Sequence, residues 1–200
     1  MLTRTYSAAL TGIEAILLEV EVNASGRGEQ SMVSIVGLPD AAVRESRERI
    51  RSALYACGFG HPRGNTLVNL APADIRKEGA SFDLPIALGL AAAMGGAEKE
   101  ALARTLVVGE LALDGSVRPI KGVVSIALLA RELPQVESLI VPAGNLQEAV
   151  LAASATKVFA VSSLPEAVEA LAGKRVPVPK EAADTLFGSR TGQTCRISPT

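Results

Sequence analysis

The sequence predicts an α/β (α+β) fold, a mixed sheet packed with helices. Three observations carry this prediction. Runs with strand-like character alternate with runs of helical period along most of the 200 residues. Two hairpin signals argue against a purely parallel sheet. Ile86-Ala-Leu-Gly-Leu-Ala-Ala-Ala-Met94 is apolar all round, as a helix buried on every side must be.

The elements follow in order. Residues 3–9 and 16–22 read as strands, the second alternating apolar and polar side chains in its latter half. Residues 23–29 form a polar, Gly-containing turn. Residues 32–36 return as a strand, which predicts a hairpin with the preceding one. Asp40 is placed to cap a helix running to about Cys57, with Gly58 ending it. Val43, Ile50, Leu54 and Cys57 form its apolar stripe, with Arg44, Arg47 and Arg51 along the flank. Glu45 with Arg49 and Arg44 with Glu48 are spaced as i,i+4 pairs. After a strand at 67–70 and a polar turn at 74–83, a helix begins near Asp83–Pro85 and stops at Gly95-Gly96. Residues 106–108 and 111–113 read as a second hairpin, continued by 117–120, with Asp114-Gly115 as its turn signal. A helix follows from Gly122 to about Leu133. Then come a strand at 138–141, a helix at 146–153, a strand at 157–161 and a helix at 164–172. Residues 1–173 make one domain. Residues 174–200 read as a linker, with Val176-Pro-Val-Pro179 extended, and a disordered polar tail.

Composition narrows the function classes. The hydrophobic fraction of 48% supplies a core, and aromatics at 3% leave it to Ala, Val, Leu and Ile. A net charge of −1 exerts no global pull on nucleic acid or anionic membrane. Locally, residues 41–77 hold seven basic residues against three acids. Arg44, Arg47 and Arg51, with Arg63, Arg76 and Lys77 if the fold brings them alongside, could contact a phosphate backbone without reading sequence. The competing reading is a solvated helix face laced with Glu45 and Glu48. No aromatic platform for base stacking is visible in the sequence. One histidine, His61 in a Gly/Pro turn, and two distant cysteines, Cys57 and Cys195, make neither a zinc site nor a disulfide framework. No signal peptide and no apolar run of about 18 residues occur, so a cytoplasmic location and no membrane partner are expected. No Gly-x-x-x-x-Gly-Lys-Ser/Thr occurs, so no ATP hydrolysis is expected of this chain.

Three blocks, in order, carry a resemblance. They are Ser34-Ile-Val-Gly-Leu-Pro-Asp40 with residues 42–53, then Asn69-Leu-Ala-Pro-Ala-Asp-Ile-Arg-Lys-Glu-Gly79 with Phe82-Asp-Leu-Pro-Ile-Ala87, then Val108-Gly-Glu-Leu-Ala-Leu-Asp-Gly115. Together they resemble the N-terminal domain of the YifB/ComM-type magnesium-chelatase-like AAA+ family, over roughly residues 1–173. The resemblance implies the fold of the Lon proteolytic domain, the ribosomal-protein-S5 domain 2 type. It also implies a parent protein with an AAA+ ATPase that takes ATP and Mg2+, assembles as a homo-oligomer, a hexamer at full length, and serves competence, recombination and branch migration. No cofactor is expected on this chain itself. Residues 181–200 are expected to depart from the family, since they resemble no segment that can be placed in it. The chain is expected to be either a truncated form or a product lacking its motor.

The resemblance also raises a peptidase reading. Lys77-Glu-Gly-Ala-Ser-Phe-Asp83 is similar to the Lys-Asp-Gly-Pro-Ser-Ala-Gly turn of Lon-type Ser–Lys peptidases, with Ser81 in the nucleophile's place. A serine needs a base beside it. The Lon segment that leads to the dyad lysine is matched by Gly115-Ser-Val-Arg-Pro-Ile-Lys-Gly122, and the lysine's position falls on Val124. Lys121 precedes the expected helix, and Asp83 replaces a glycine. Ser81 is therefore read as a helix N-cap or turn residue, and no catalytic residue is assigned. The alternatives are a Lon-type peptidase using Ser81 and a pure assembly module.

Overall fold

The computed structural model describes residues 1–26, 32–75, 77–153 and 156–179. The first two strands, β1 (Leu2–Thr11) and β2 (Glu14–Ala24), form an antiparallel hairpin. Then follow β3 (Met32–Val36), α1 (Ala41–Ala56), β4 (Asn65–Ala71), α2 (Asp83–Ala93) and the short α3 (Lys99–Leu102). The second half holds β5 (Thr105–Val107), β6 (Glu110–Leu111), β7 (Val117–Arg118), α4 (Val123–Glu132), β8 (Ser138–Pro142), α5 (Leu146–Ala153), β9 (Lys157–Val161) and α6 (Leu164–Leu171).

Seven strands make one mixed sheet in the order β3-β4-β2-β1-β5-β8-β9, and β6 with β7 makes a small ribbon. The mixed α/β expectation is borne out. Helices cover both faces, because the strands alternate their side chains. Val107 and Ile140 join Val20, Val22, Val68 and Leu70 in one core with α1, α2 and α6. Leu106, Leu139 and Val141 join Ala8 and Val158 in a second core with α4 and α5. As its composition predicts, α2 is buried along its length. At Gly89 the helix closes on β2, where an added Cβ would lie 2.7 Å from Val22 Cγ2, and Thr3 Oγ1 donates to the Gly89 carbonyl at 2.9 Å.

Two strand pairings differ from expectation. β3 does not form a hairpin with β2. Instead β4 lies between them, antiparallel to β2 and parallel to β3. The cause is α1, whose stripe of Val43, Ile50 and Leu54 must be buried on the sheet. The chain therefore leaves β3 through a helical crossover and returns in parallel. Likewise, the strand expected at 106–108 is β5, paired with β1 and β8 within the main sheet. The hairpin around Asp114-Gly115 exists, but it is the ribbon of β6 and β7. Asp114 Oδ1 accepts the Ser116 N–H at 2.9 Å and its hydroxyl at 2.7 Å.

Candidate functional site

The three sequence blocks converge on one place, the turn between β4 and α2. Asp40 caps α1 by accepting the Val43 N–H on Oδ1 at 2.8 Å. Its other carboxylate oxygen accepts the Gly79 N–H at 3.3 Å, and its backbone N–H donates to the Lys77 carbonyl at 3.1 Å. The Leu38–Asp40 loop of the first block is thus laced to the Lys77–Gly79 turn of the second. The third block closes the other side. Gly109 N–H donates to the Ser81 carbonyl and Leu84 N–H to the Gly109 carbonyl, both at 3.0 Å.

Ser81 itself is half-buried and follows this lacing. The expected helix-cap role is corrected: Phe82 is the N-cap of α2, and no side chain caps it. The α2 N-terminus is held instead by the Gly109 carbonyl, which takes the Leu84 N–H. Ser81 is a turn residue, the other half of the expectation. Among the described residues no side chain hydrogen-bonds its hydroxyl. Val124 stands in the first turn of α4 with 41% of its surface exposed, and Lys121 is exposed in the turn before it.

Lys77 is fully buried and donates from Nζ to the Pro72 carbonyl. It therefore leaves the candidate nucleic-acid surface to which its charge had assigned it. Burial pulls its ammonium below the ordinary lysine value, with Asp74 acting in the opposite direction. A lysine whose folded pKa lies below the unfolded one is bound to its extra proton more firmly in the unfolded chain. Its contribution to stability therefore improves as pH rises from the folded value toward about 10.4. Urea melts at about pH 7 and about pH 10 are expected to show wild type gaining on Lys77→Met as pH rises. A pH-independent difference would contradict a charged, buried Lys77.

The residue that sequence reasoning missed is Asp83. It is buried at the start of α2 and bound by α1: Arg49 Nε donates to Oδ2 at 2.9 Å and Nη2 to Oδ1 at 3.3 Å. Arg49 Nη2 also donates to Ser46 Oγ at 3.0 Å, and Leu111 N–H donates to Asp83 Oδ2 at 3.3 Å. Burial pushes the Asp83 carboxyl up, while Arg49, Ser46 and the Leu111 N–H act against it. Asp83 in turn holds the Arg49 guanidinium above its ordinary value. The pair replaces the expected Glu45–Arg49 bridge, and Glu48 pairs with Arg47 and Arg51 (3.6 and 3.1 Å). A signal was present. A carboxylate on a helix that is apolar all round is carried toward the core with it, and a buried charge needs a partner.

On the outer flank of α1, Arg44, Arg47 and Arg51 are exposed, and Arg63 is exposed on the loop before β4. Arg76 lies outside the described residues. Tyr55, 72% exposed, stacks on His61, with ring centroids 5.7 Å apart and planes at 19°. His61 does lie in the expected loop. Among the described residues no group of three His, Cys, Asp or Glu side chains could hold a metal ion. No helix among them is long and apolar enough to cross a membrane.

Residues 20–145, which contain all three blocks, match the family described as subunit ChlI of Mg-chelatase. The chain belongs to the ChlI family. Its relatives include the competence protein ComM of Haemophilus influenzae, 38% identical over 191 residues, which are 93% of this chain and 36% of the relative. An uncharacterized protein of Mycobacterium tuberculosis is 39% identical over 150 residues, 75% of this chain and 29% of the relative. The uncharacterized protein YifB of Escherichia coli is 40% identical over 126 residues, 63% of this chain and 24% of the relative. This ChlI-family chain thus spans between about a quarter and about a third of the length of these relatives. The magnesium-chelatase-like resemblance of the YifB/ComM type is borne out.

Proposed function

We propose that the chain acts as the non-catalytic, Lon-like domain of a magnesium-chelatase-like AAA+ ATPase of the cytoplasm, contributing nucleic-acid contact and ring assembly to DNA processing. ATP and Mg2+ belong, in this reading, to the motor of the parent protein. A relationship to a competence protein is in keeping with it. The observation that carries it is the flank of α1, where Arg44, Arg47 and Arg51 are exposed together. Guanidinium groups in such a row suit phosphate oxygens, and the contact is independent of base sequence.

The experiment uses fluorescent oligonucleotides titrated at low salt. Weak binding is expected, and the Arg44→Ala/Arg47→Ala/Arg51→Ala triple variant is expected to lose at least about tenfold. For three lost phosphate contacts on duplex DNA, the slope of log affinity against log salt should shrink by roughly 2.7. Unchanged binding in the triple variant would remove the nucleic-acid part. The same preparation is expected to leave casein intact and Ser81 unlabelled by a serine-reactive phosphonate. Stoichiometric labelling lost in Lys121→Ala would establish the peptidase reading instead.

Assembly without nucleic acid is a second reading, and a separate observation favours it. Leu10 and Ile13 at the β1–β2 turn and Val124 and Leu128 on α4 are exposed apolar side chains. Ser125 Oγ donates to the Ile13 carbonyl at 2.7 Å, and Leu10 lies against Gly122, so the turn and the helix form one surface.

A further inference from the structure

The two edges of the sheet are treated differently. Beside β9 runs the segment after α6, and Val178 N–H donates to the Val158 carbonyl at 2.8 Å. Beside β3, no described residue pairs with the outer edge. Met32 N–H donates to the Gly64 carbonyl at 3.2 Å, so Met32, Ser34 and Val36 turn their backbone groups to β4. By the alternation of a parallel ladder, Val33 and Ile35 turn theirs outward. Natural sheets blunt such an edge with a charged residue, a proline, a bulge or a very short strand. Met32-Val-Ser-Ile-Val36 has no charge and no proline.

Behind this edge lies a cavity of about 210 Å³, lined by Val33 and Ile35 of β3, Ile50 and Leu54 of α1, and Ile86 and Leu90 of α2. Sites for small molecules and cofactors run to roughly 300–1,000 Å³. This cavity is the size for a side chain. Its rim carries His61, Arg47 and Arg51, and the two guanidinium groups share the single carboxylate of Glu48. The rim is left with positive charge.

We propose that the outer edge of β3 and the cavity behind it receive an extended peptide segment as an added strand, with an apolar side chain in the cavity and an acidic residue against Arg47 and Arg51. In this mode the main chain supplies affinity and the pocket for alternate side chains supplies specificity. Every second side chain of the added strand points to the side of Val33 and Ile35. The intervening ones lie beside Met32 and Val36, which are exposed on the opposite face of the sheet. The inference goes beyond the nucleic-acid reading. Arg47 and Arg51 are common to both, but the strand edge belongs to the peptide alone.

A phage-displayed library of random octapeptides is panned on the full chain, and enriched sequences are resynthesised with a fluorescein label. Enriched peptides are expected to alternate apolar residues and to carry Asp or Glu. N-methylation of alternate amides is expected to weaken binding about tenfold or more. Ile35→Pro removes an outward N–H while sparing the ladder to β4, a place where edge strands tolerate proline. It is expected to lose the peptide about tenfold and leave oligonucleotide binding unchanged. Arg51→Glu, on the exposed rim, is expected to lose the peptide with an unchanged circular dichroism spectrum. An empty selection, binding indifferent to N-methylation, or full affinity in Arg51→Glu would each overturn the proposal. A poly-thymidine oligonucleotide that loses affinity in a folded Ile35→Pro variant would assign the groove to nucleic acid and overturn it too.

Discussion

Arg49→Met is expected to destabilise the chain by about 3–5 kcal/mol, because it leaves the buried Asp83 carboxyl without its guanidinium partner. For a chain of this size that is a fall in melting temperature of roughly 10 °C, readable by calorimetry. The guanidinium is about a quarter exposed, but the carboxylate is fully enclosed, so solvent has little access to soften the loss. Arg44→Met, on the same helix but in solvent, is the control and is expected to stay within about 0.5 kcal/mol of wild type. The double variant Arg49→Met/Asp83→Leu should recover most of the stability, since an apolar pair of similar volume replaces a buried ion pair at little net cost. If Arg49→Met melts with Arg44→Met, the ion pair does not hold the start of α2. The pair matters for the site as well as for stability. Asp83 also accepts the Leu111 N–H, so it ties α1, α2 and the third sequence block together next to Ser81.

Gly37→Ala is expected to cost about 4 kcal/mol. Gly37 has φ +101°, and an added Cβ would lie 2.1 Å from the Leu70 carbonyl oxygen and 2.9 Å from its carbon. Left-handed backbone strain contributes about 1–3 kcal/mol. Forcing β4 away adds about 1–3 kcal/mol more, since the obstacle is main chain and cannot rotate aside. Gly79→Ala separates the two effects. Gly79 has φ +81° but open space where its Cβ would go, so only the strain of about 1–2 kcal/mol should remain. Urea midpoints for the two variants check this, and equal midpoints would show that the Leu70 contact is relieved without cost. Gly37 leads into the Leu38–Asp40 loop, so its replacement should also loosen the Asp40 contact that holds Gly79.

Much of the fold was legible because the signals that make an element are local. The boundaries of α5 and β9 coincide with those expected from periodicity, and α1 begins at the expected Asp40 cap. Burial of α2 followed from its lack of any polar face. The family was legible from three blocks, which the fold then gathers around one turn. Pairing was less legible. Whether β3 meets β2 or β4 depends on where α1 buries its stripe, and a turn signal does not contain that information. The site was legible in most of its members, Asp83 excepted, but not in their roles. Lys77, Arg49 and Arg51 are all cations in one basic stretch of sequence. One is enclosed against a backbone carbonyl, one is spent on Asp83, and one stays at the rim of a groove.

By itself, the sequence determined most of the secondary elements, the alternation that makes an α/β sheet, and the row of arginines on α1. Only the tertiary structure decided which charges remain in solvent, which strand edge is left unpaired among the described residues, and what holds the turn at Ser81. The physical reason is range. Periodicity, caps and turns are settled within a few residues. Burial and ion pairing are settled between groups such as Arg49 and Asp83, 34 residues apart, which meet only after helix and sheet have packed.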